Sequence, residues 1–342
     1  MTFNRTKNWA LGALTASMLA TSAQAETTLR FNNFLPRTSF LFLQLLEPWA
    51  KRVEDATKGQ VKIEFTTTSL GAPPAQFDLV SNGVADMALS IAGYTPDRIK
   101  LTQVAELPFV GDSAEAISVA LWGTYQKYFV KADEFKGVKL LGLFTSVPSN
   151  LYTVKGPIRT VADLQGMKLR VAGPIPGKIA EGLGAVPVGA PGTKAYEMLQ
   201  SGVIDGTFFS HDGITDMHME TLIKHVTVFP KGLFNTVFYI AINPDAWNRL
   251  TAEEQQEIMS VSGEAMARDM GRVYDNYASQ ALDKIKASGA EVSQASPELM
   301  DAVEKIAAPL QEQWVQTANA MGVDGAAALK MMRDEVDSYK PQ

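Results

Sequence analysis

The chain has 342 residues, 46% hydrophobic and 20% charged, with 31 basic against 37 acidic residues and a formal net charge of −6. That mildly acidic balance argues against nucleic acid as a partner, because phosphate-backbone binding rests on clustered basic surface. The sequence contains no cysteine, which removes disulfides and thiol chemistry and leaves an ordinary hydrophobic core to hold the fold.

Residues 1–25 carry Arg5 and Lys7, an apolar run from Trp9 to Ala20, and Ala23-Gln24-Ala25, the layout of a secretory signal peptide cleaved after Ala25. The apolar run is too short for a comfortable membrane span, and no later stretch offers ~20 uncharged apolar residues, so the expected product is exported and does not itself span a membrane. Cleavage would leave 29 basic and 37 acidic residues, a charge of −8, on a chain long enough for two lobes.

Leu29 to Phe34 reads as a strand, and Ser39 caps a helix that presents Phe42, Leu45, Leu46, Trp49 and Val53 on one face as far as Lys58-Gly59. Val61 to Phe65 is a strand, Ala75 to Ser81 a helix closed by Asn82-Gly83, and Asp86 to Ile91 a strand. A helix begins near Ser113, and Val138 to Phe144 is a buried strand. The alternation predicts a parallel sheet with helices on its faces. Leu151 to Val154 carries the chain onward. Thr160 and Asp163 have capping-box spacing, Gly166 stops that turn, and Met167 to Val171 is a strand ended by Gly173-Pro174. Ile175 to Leu183 and Lys194 to Gln200 read as helices, with Val186 to Val188 extended between them.

Here the sequence repeats itself. Phe77-Asp-Leu-Val-Ser-Asn-Gly-Val-Ala-Asp86 matches Tyr196-Glu-Met-Leu-Gln-Ser-Gly-Val-Ile-Asp205 position by position, each a helix whose glycine supplies a left-handed cap before a strand. The repeat predicts two related lobes, residues 26–147 and 148–236, with crossings near Asn150 and between Asn235 and Ile242. From Thr251-Ala-Glu-Glu254, a capping box, one long helix is expected to Ser288, since Gly263 and Gly271 cost only ~1 kcal/mol each. Further helices from Ser296-Pro297 and from Ala326 to Tyr339 are expected, so that residues 237–342 return to lobe one and brace both lobes from behind.

Arg170 lies near the carboxyl end of its strand, where ligands of open α/β sheets bind, and its guanidinium matches a carboxylate as a two-pronged donor. The rival reading is a solvated arginine or a structural ion pair. Catalytic and metal motifs are weak. His211, His218 and His225 fall seven apart with Asp212 and Asp216 among them, but Gly213 is expected to break any shared helix. Gly173-Pro-Ile-Pro-Gly-Lys178 is one residue short of a phosphate loop, Gly182-Leu-Gly184 lacks a dinucleotide loop's third glycine, and no G-x-S-x-G elbow occurs. No metal, cofactor or catalytic group is assigned. An exported two-lobed α/β chain with a cleft-facing cation suits solute capture.

The residues resemble the solute-binding proteins of tripartite ATP-independent periplasmic (TRAP) transporters, the DctP family, through nearly the whole mature chain. The resemblance rests on Asn82-Gly-Val-Ala-Asp86, Glu106-Leu-Pro-Phe109, Val161 to Val171, Gly184 to Val188, Tyr196 to Gly206 and Trp247 to Leu250 in that order. It implies a periplasmic, type II-like two-lobed α/β fold with a long bracing helix, and membrane subunits of an ion-driven transporter as partners. It also implies that Arg170 pairs with the ligand carboxylate and that Asn150, Phe209 and Asn235 contact the ligand. After Asp205-Gly206 many members continue with Gln-Glu-Asn or Gln-Glu-Trp, whereas this chain has Thr207-Phe-Phe-Ser-His211, and Asn150 stands where some members carry a second arginine. The expectation is a small monocarboxylate with an apolar or aromatic body. Phe209 or Phe208 would form a wall, His211 or Asn150 would read polar groups, and lobe one would contribute Phe34, Tyr94 and the region around Leu70-Gly71. Because neighbouring strand residues point to opposite sides, one of the two phenylalanines is expected to face away. The alternatives are an exported hydrolase or isomerase using Asp86, Asp205 or His211, and the ligand-sensing partner of a signalling system.

Overall fold

Two sheets organise the computed structural model, which describes residues 26–341; the expected signal peptide and its cleavage site lie outside them. Lobe one opens with strand β1 (Thr27–Asn32), helix α1 (Glu47–Ala56), β2 (Val61–Phe65), α2 (Gln76–Ser81), β3 (Met87–Ile91), α3 (Ala114–Thr124) and β4 (Lys139–Thr145). In β1 the side chains of Leu29 and Phe31 are buried while Thr28 and Arg30 are exposed, the two-residue period of a strand with one face on a core. Ser113 caps α3 by accepting the Ala116 N–H.

The chain crosses into β5 (Asn150–Thr153), β6 (Lys168–Val171), α4 (Pro174–Gly182), β7 (Val186–Gly189), α5 (Ala195–Gln200), β8 (Gly206–Phe209), α6 (His211–Asp216) and β9 (His225–Val228). It returns through β10 (Val237–Ile242) and continues with α7 (Pro244–Asn248), α8 (Ala252–Ser260), α9 (Gly263–Ala287), β11 (Glu291–Gln294), α10 (Pro297–Ala320) and α11 (Gly325–Ser338). The sheet orders are β2-β1-β3-β10-β4 and β11-β9-β5-β8-β6-β7. Strand β10 is antiparallel to both its neighbours, β3 and β4, and so closes lobe one with a strand drawn from beyond lobe two.

The repeat is structural. Gly83 and Gly202 cap their helices at φ of +69° and +72°, a conformation that any side chain would strain. Asp86 then accepts the N–H of Arg30 on β1 at 2.8 Å, and Asp205 accepts that of Lys168 on β6 at 3.0 Å. Each aspartate thus pins the strand beside its own.

Four features differ from the sequence reading. The sheet expected to be parallel is mixed in both lobes, because β10 and β5 each run antiparallel to both neighbours. The single helix expected from Ala252 to Ser288 is two, α8 and α9. The chain breaks at Val261-Ser262, and Gly263 opens α9 at φ +52°, a conformation open to glycine, where an added Cβ would also lie 2.8 Å from the Trp122 ring. The C-terminal stretch also supplies β11, which pairs in parallel with β9 at the edge of the second sheet. Finally, Gly213 does not break α6, which ends instead at Met217, with His218 in the left-handed region at φ +55°.

Helices α9 and α10 touch both lobes. Asp275 of α9 accepts the Ser113 hydroxyl and the Ala114 N–H in lobe one, while Ser288, just past its end, donates to the Glu220 carbonyl in lobe two. On α10, the Trp314 indole donates to the Leu101 carbonyl of lobe one at 3.1 Å, and Glu298 accepts the Val161 N–H of lobe two at 3.0 Å. Among the described residues no helix is long and apolar enough to cross a membrane.

Candidate functional site

Arg170, one residue from the end of β6, is 3% exposed. Its Nε donates to the Ala190 carbonyl at 2.8 Å, and its guanidinium carbon lies 4.9 Å from the centre of the Phe209 ring, so the fork is held by backbone on one side and an aromatic face on another. Burial lowers its pKa from the usual arginine value, and Tyr94, reaching over from lobe one, works in the opposite direction. Among the described residues no carboxylate stands among the groups acting on its charge. A desolvated cation without an anionic partner is costly, and that cost makes the position a receptor for an anion brought from outside.

The cavity in front of Arg170 holds about 640 Å³ of atom-free space, mouth included, between the two lobes. Phe34, Tyr94 and Phe238 form part of its lobe-one wall, and Phe234 lines it from the returning crossing. Phe208 and Phe209 both border it, and as strand alternation predicts they pack to opposite sides, Phe208 buried in the core shared with Phe234 and Phe209 against the separate core of Tyr152, Ala195 and Ile214. Phe209 lies under the guanidinium, and Phe208 packs edge-on against Phe234 with ring centres 6.2 Å apart.

The walls meet through contacts between lobes. Tyr94 Oη accepts the Gly192 N–H at 3.2 Å, and Asp216 accepts the Phe40 N–H at 2.7 Å. Beside the cavity two backbones touch directly: a Cβ added to Gly173 would lie 2.9 Å from the Gly93 Cα.

Three expected ligand contacts fall elsewhere. Asn150 is used up at the crossing, its amide donating to the Pro148 carbonyl and its oxygen accepting the Phe229 N–H at 2.8 Å. Asn235, fully buried, donates to the Ser146 carbonyl at 2.9 Å, while its neighbours Phe234 and Thr236 line the cavity. Where two crossing strands leave their sheets, backbone groups need substitute partners, and these two asparagines provide them. His211 lies behind the wall, with Nδ1 2.5 Å from the Tyr152 hydroxyl, and burial pushes its pKa down to about 4. It is a neutral packing group. Leu70 and Gly71 also lie outside the cavity lining.

The three histidines are not brought together: His218 is exposed and His225 sits on β9 beside Glu291. Asp86 pairs with Arg249 and Asp205 with Lys155, each at the edge of its own lobe and away from the cavity. The sequence reading missed Asp212, Asp216 and Tyr274 as cavity residues. Burial, then the charge of Asp216, raises Asp212 to about 7, and burial raises Asp216 to about 6. The D-x-x-x-D spacing on one short helix was a signal, but only the packing of α6 against α9 turns it toward the cleft.

Residues 31–317 match the family model described as bacterial extracellular solute-binding protein, family 7. A relative from Comamonas testosteroni, named outer membrane transporter protein TsaT, is 32% identical across 94% of this chain and 95% of its own. A TRAP periplasmic solute-binding protein of Bordetella bronchiseptica, solved with (R)- and (S)-mandelate bound, superposes with a TM-score of 0.89 at 34% identity, covering 91% of this chain and 99% of that one. A marine metagenome TRAP solute-binding protein described as specific for aromatic acid ligands, solved with 3-hydroxybenzoate, gives a TM-score of 0.86 at 31% identity over 92% and 99% of the two chains.

Proposed function

The chain belongs to family 7 of the bacterial extracellular solute-binding proteins, and from that membership we propose that it captures a small aromatic monocarboxylate in the periplasm and delivers it to the membrane subunits of a TRAP transporter. The observation that carries the ligand class is Arg170: a buried guanidinium without an internal acid, lying over Phe209 in a chamber walled by aromatic rings. The fork takes the carboxylate through paired charge-assisted hydrogen bonds, and Phe34, Phe208 and Phe234 take the apolar body. Solved relatives that hold mandelate and 3-hydroxybenzoate support the same class. Closure of the lobes on the ligand removes water from the ion pair, which strengthens it. The residues considered for catalysis, Asp86, Asp205 and His211, are dispersed outside the chamber, and the proposed role is binding without turnover.

A thermal-shift screen followed by calorimetry tests this reading, comparing benzoate, mandelate and hydroxybenzoates with succinate and sugar acids. Saturable binding of the aromatic acids alone is expected. Preference for succinate or a sugar acid would overturn the ligand class, and conversion of the bound acid to a product would overturn the receptor role.

A further inference from the structure

One part of the chamber is still unexplained by a ligand that carries only a carboxylate and a ring. Asp212 and Tyr274 both line the chamber, are 2% and 0% exposed, and come from different elements, α6 and α9. Oδ1 of Asp212 and the hydroxyl of Tyr274 each lack a hydrogen-bond partner. Helices α6 and α9 pack against each other, so the two side chains reach the chamber from adjoining elements, while Arg170 stands on β6. Asp216 is committed to lobe closure through the Phe40 N–H, which leaves Asp212 and Tyr274 as the pair open to a ligand.

Buried polar atoms without partners are rare in folded proteins, and those that face a binding chamber are matched by what enters it. A carboxyl oxygen accepts a hydrogen bond, and a phenol O–H donates one. We infer that Asp212 and Tyr274 form a second polar subsite, on elements other than the one that carries the carboxylate fork, that reads a hydroxyl group on the ligand's ring by accepting its proton and donating to its oxygen. The inference rests on the aromatic-acid reading and narrows it to hydroxy-substituted aromatic acids. A hydroxyl satisfies both groups at once, whereas a bare ring edge leaves both stranded in a desolvated pocket, which is how such sites reject an analogue that lacks the group.

The test is calorimetry with benzoate, 3-hydroxybenzoate and 4-hydroxybenzoate on the full mature chain, on Tyr274→Phe and on Asp212→Leu, which is similar in shape but carries no polar atom. At least one hydroxybenzoate is expected to bind roughly 10- to 100-fold more tightly than benzoate, the ratio one rescued buried hydrogen-bond pair supplies. That ratio is expected to collapse toward one in both variants, and each variant that folds is informative alone. Equal affinities for all three acids in the unmodified protein overturn the subsite while leaving the aromatic-acid reading intact. So does a ratio that survives in Tyr274→Phe and Asp212→Leu. Failure of all three acids to bind overturns the aromatic-acid reading and this inference with it.

Discussion

The two lobes contain the same helix-glycine-strand unit, yet they use the strand paired beside it, β1 or β6, in opposite ways. Asp86 pins Arg30 and Asp205 pins Lys168, and Phe31 and Leu169 face Met87 and Gly206 in the same register, so Asn32 of lobe one corresponds to Arg170 of lobe two. Asn32 is fully satisfied within its lobe: it donates to Gln76 at 2.6 Å and accepts from the Leu70 N–H at 2.9 Å and the Thr66 hydroxyl at 3.2 Å. By the repeat, Gln76 corresponds to Ala195, a buried residue with no polar side chain to offer. One copy of the unit closes its polar network internally. The other holds Arg170 by the Ala190 carbonyl and by Tyr94 of the opposite lobe, with no side chain from its own helix, and on the proposed reading that difference converts a structural position into a binding one.

The comparison can be broken most severely at Arg170. Arg170→Ala is expected to weaken carboxylate binding on the order of 100-fold or more, and Arg170→Lys to bind poorly as well, because an ammonium lacks the fork. Calorimetry that returns near-native affinity for either variant would remove the assignment. Ala195→Gln copies lobe one's arrangement into lobe two and offers Arg170 a side-chain acceptor from α5 in addition to the Ala190 carbonyl. A loss of about tenfold in affinity is expected, by analogy with the internally satisfied Asn32, with a melting scan to show that the chain still folds. Unchanged affinity in a folded variant would mean that the two positions are not equivalent. The mirror experiment is Gln76→Ala, which strands the buried Asn32 amide. It is expected to cost about 1–3 kcal/mol in denaturant unfolding without altering ligand selectivity. A shift in selectivity would count against the division of labour.

The smallest effect is in pH. Burial raises Glu106 to about 8, Glu134 to about 7 and Asp212 to about 7, so each takes up a proton on folding once the unfolded carboxyl has ionised. Stability contributed in this way is full at acid pH and is lost as pH rises toward those values. His211, pushed down to about 4, contributes in the opposite sense, gaining stability as pH rises to its ordinary range near 6.5. Above that range the carboxyls act unopposed, so the melting temperature is expected to fall between pH 6.5 and 8. Asp212→Asn should flatten the fall, by on the order of 1 kcal/mol in stability. A flat or rising profile in the unmodified protein would contradict the burial of these groups.

The alternation of elements, the related lobes and Arg170 were legible because each rests on local chemistry: caps, glycine stops, and a strand ending at Gly173-Pro174. The bonds of Asn150 and Asn235 at the crossings were not legible, because they depend on which backbone groups are orphaned when two strands cross between sheets, and that is settled only by tertiary pairing. The break before α9 was missed because Gly263 was costed as a glycine inside a helix, whereas it takes a left-handed φ of +52° where a new helix starts. Asp212 and Tyr274 meet at one chamber from distant parts of the chain, and β11 is four residues with no pattern of its own.

The touching backbones of Gly93 and Gly173 bear on how the receptor shuts. With no side chain on either face, nothing at that seam can swing aside to make room, so the shut state has a fixed internal reach. A methyl group on Gly173 would act as a doorstop, because its carbon would lie 2.9 Å from the facing Gly93 Cα, so the shut state depends on that seam staying bare.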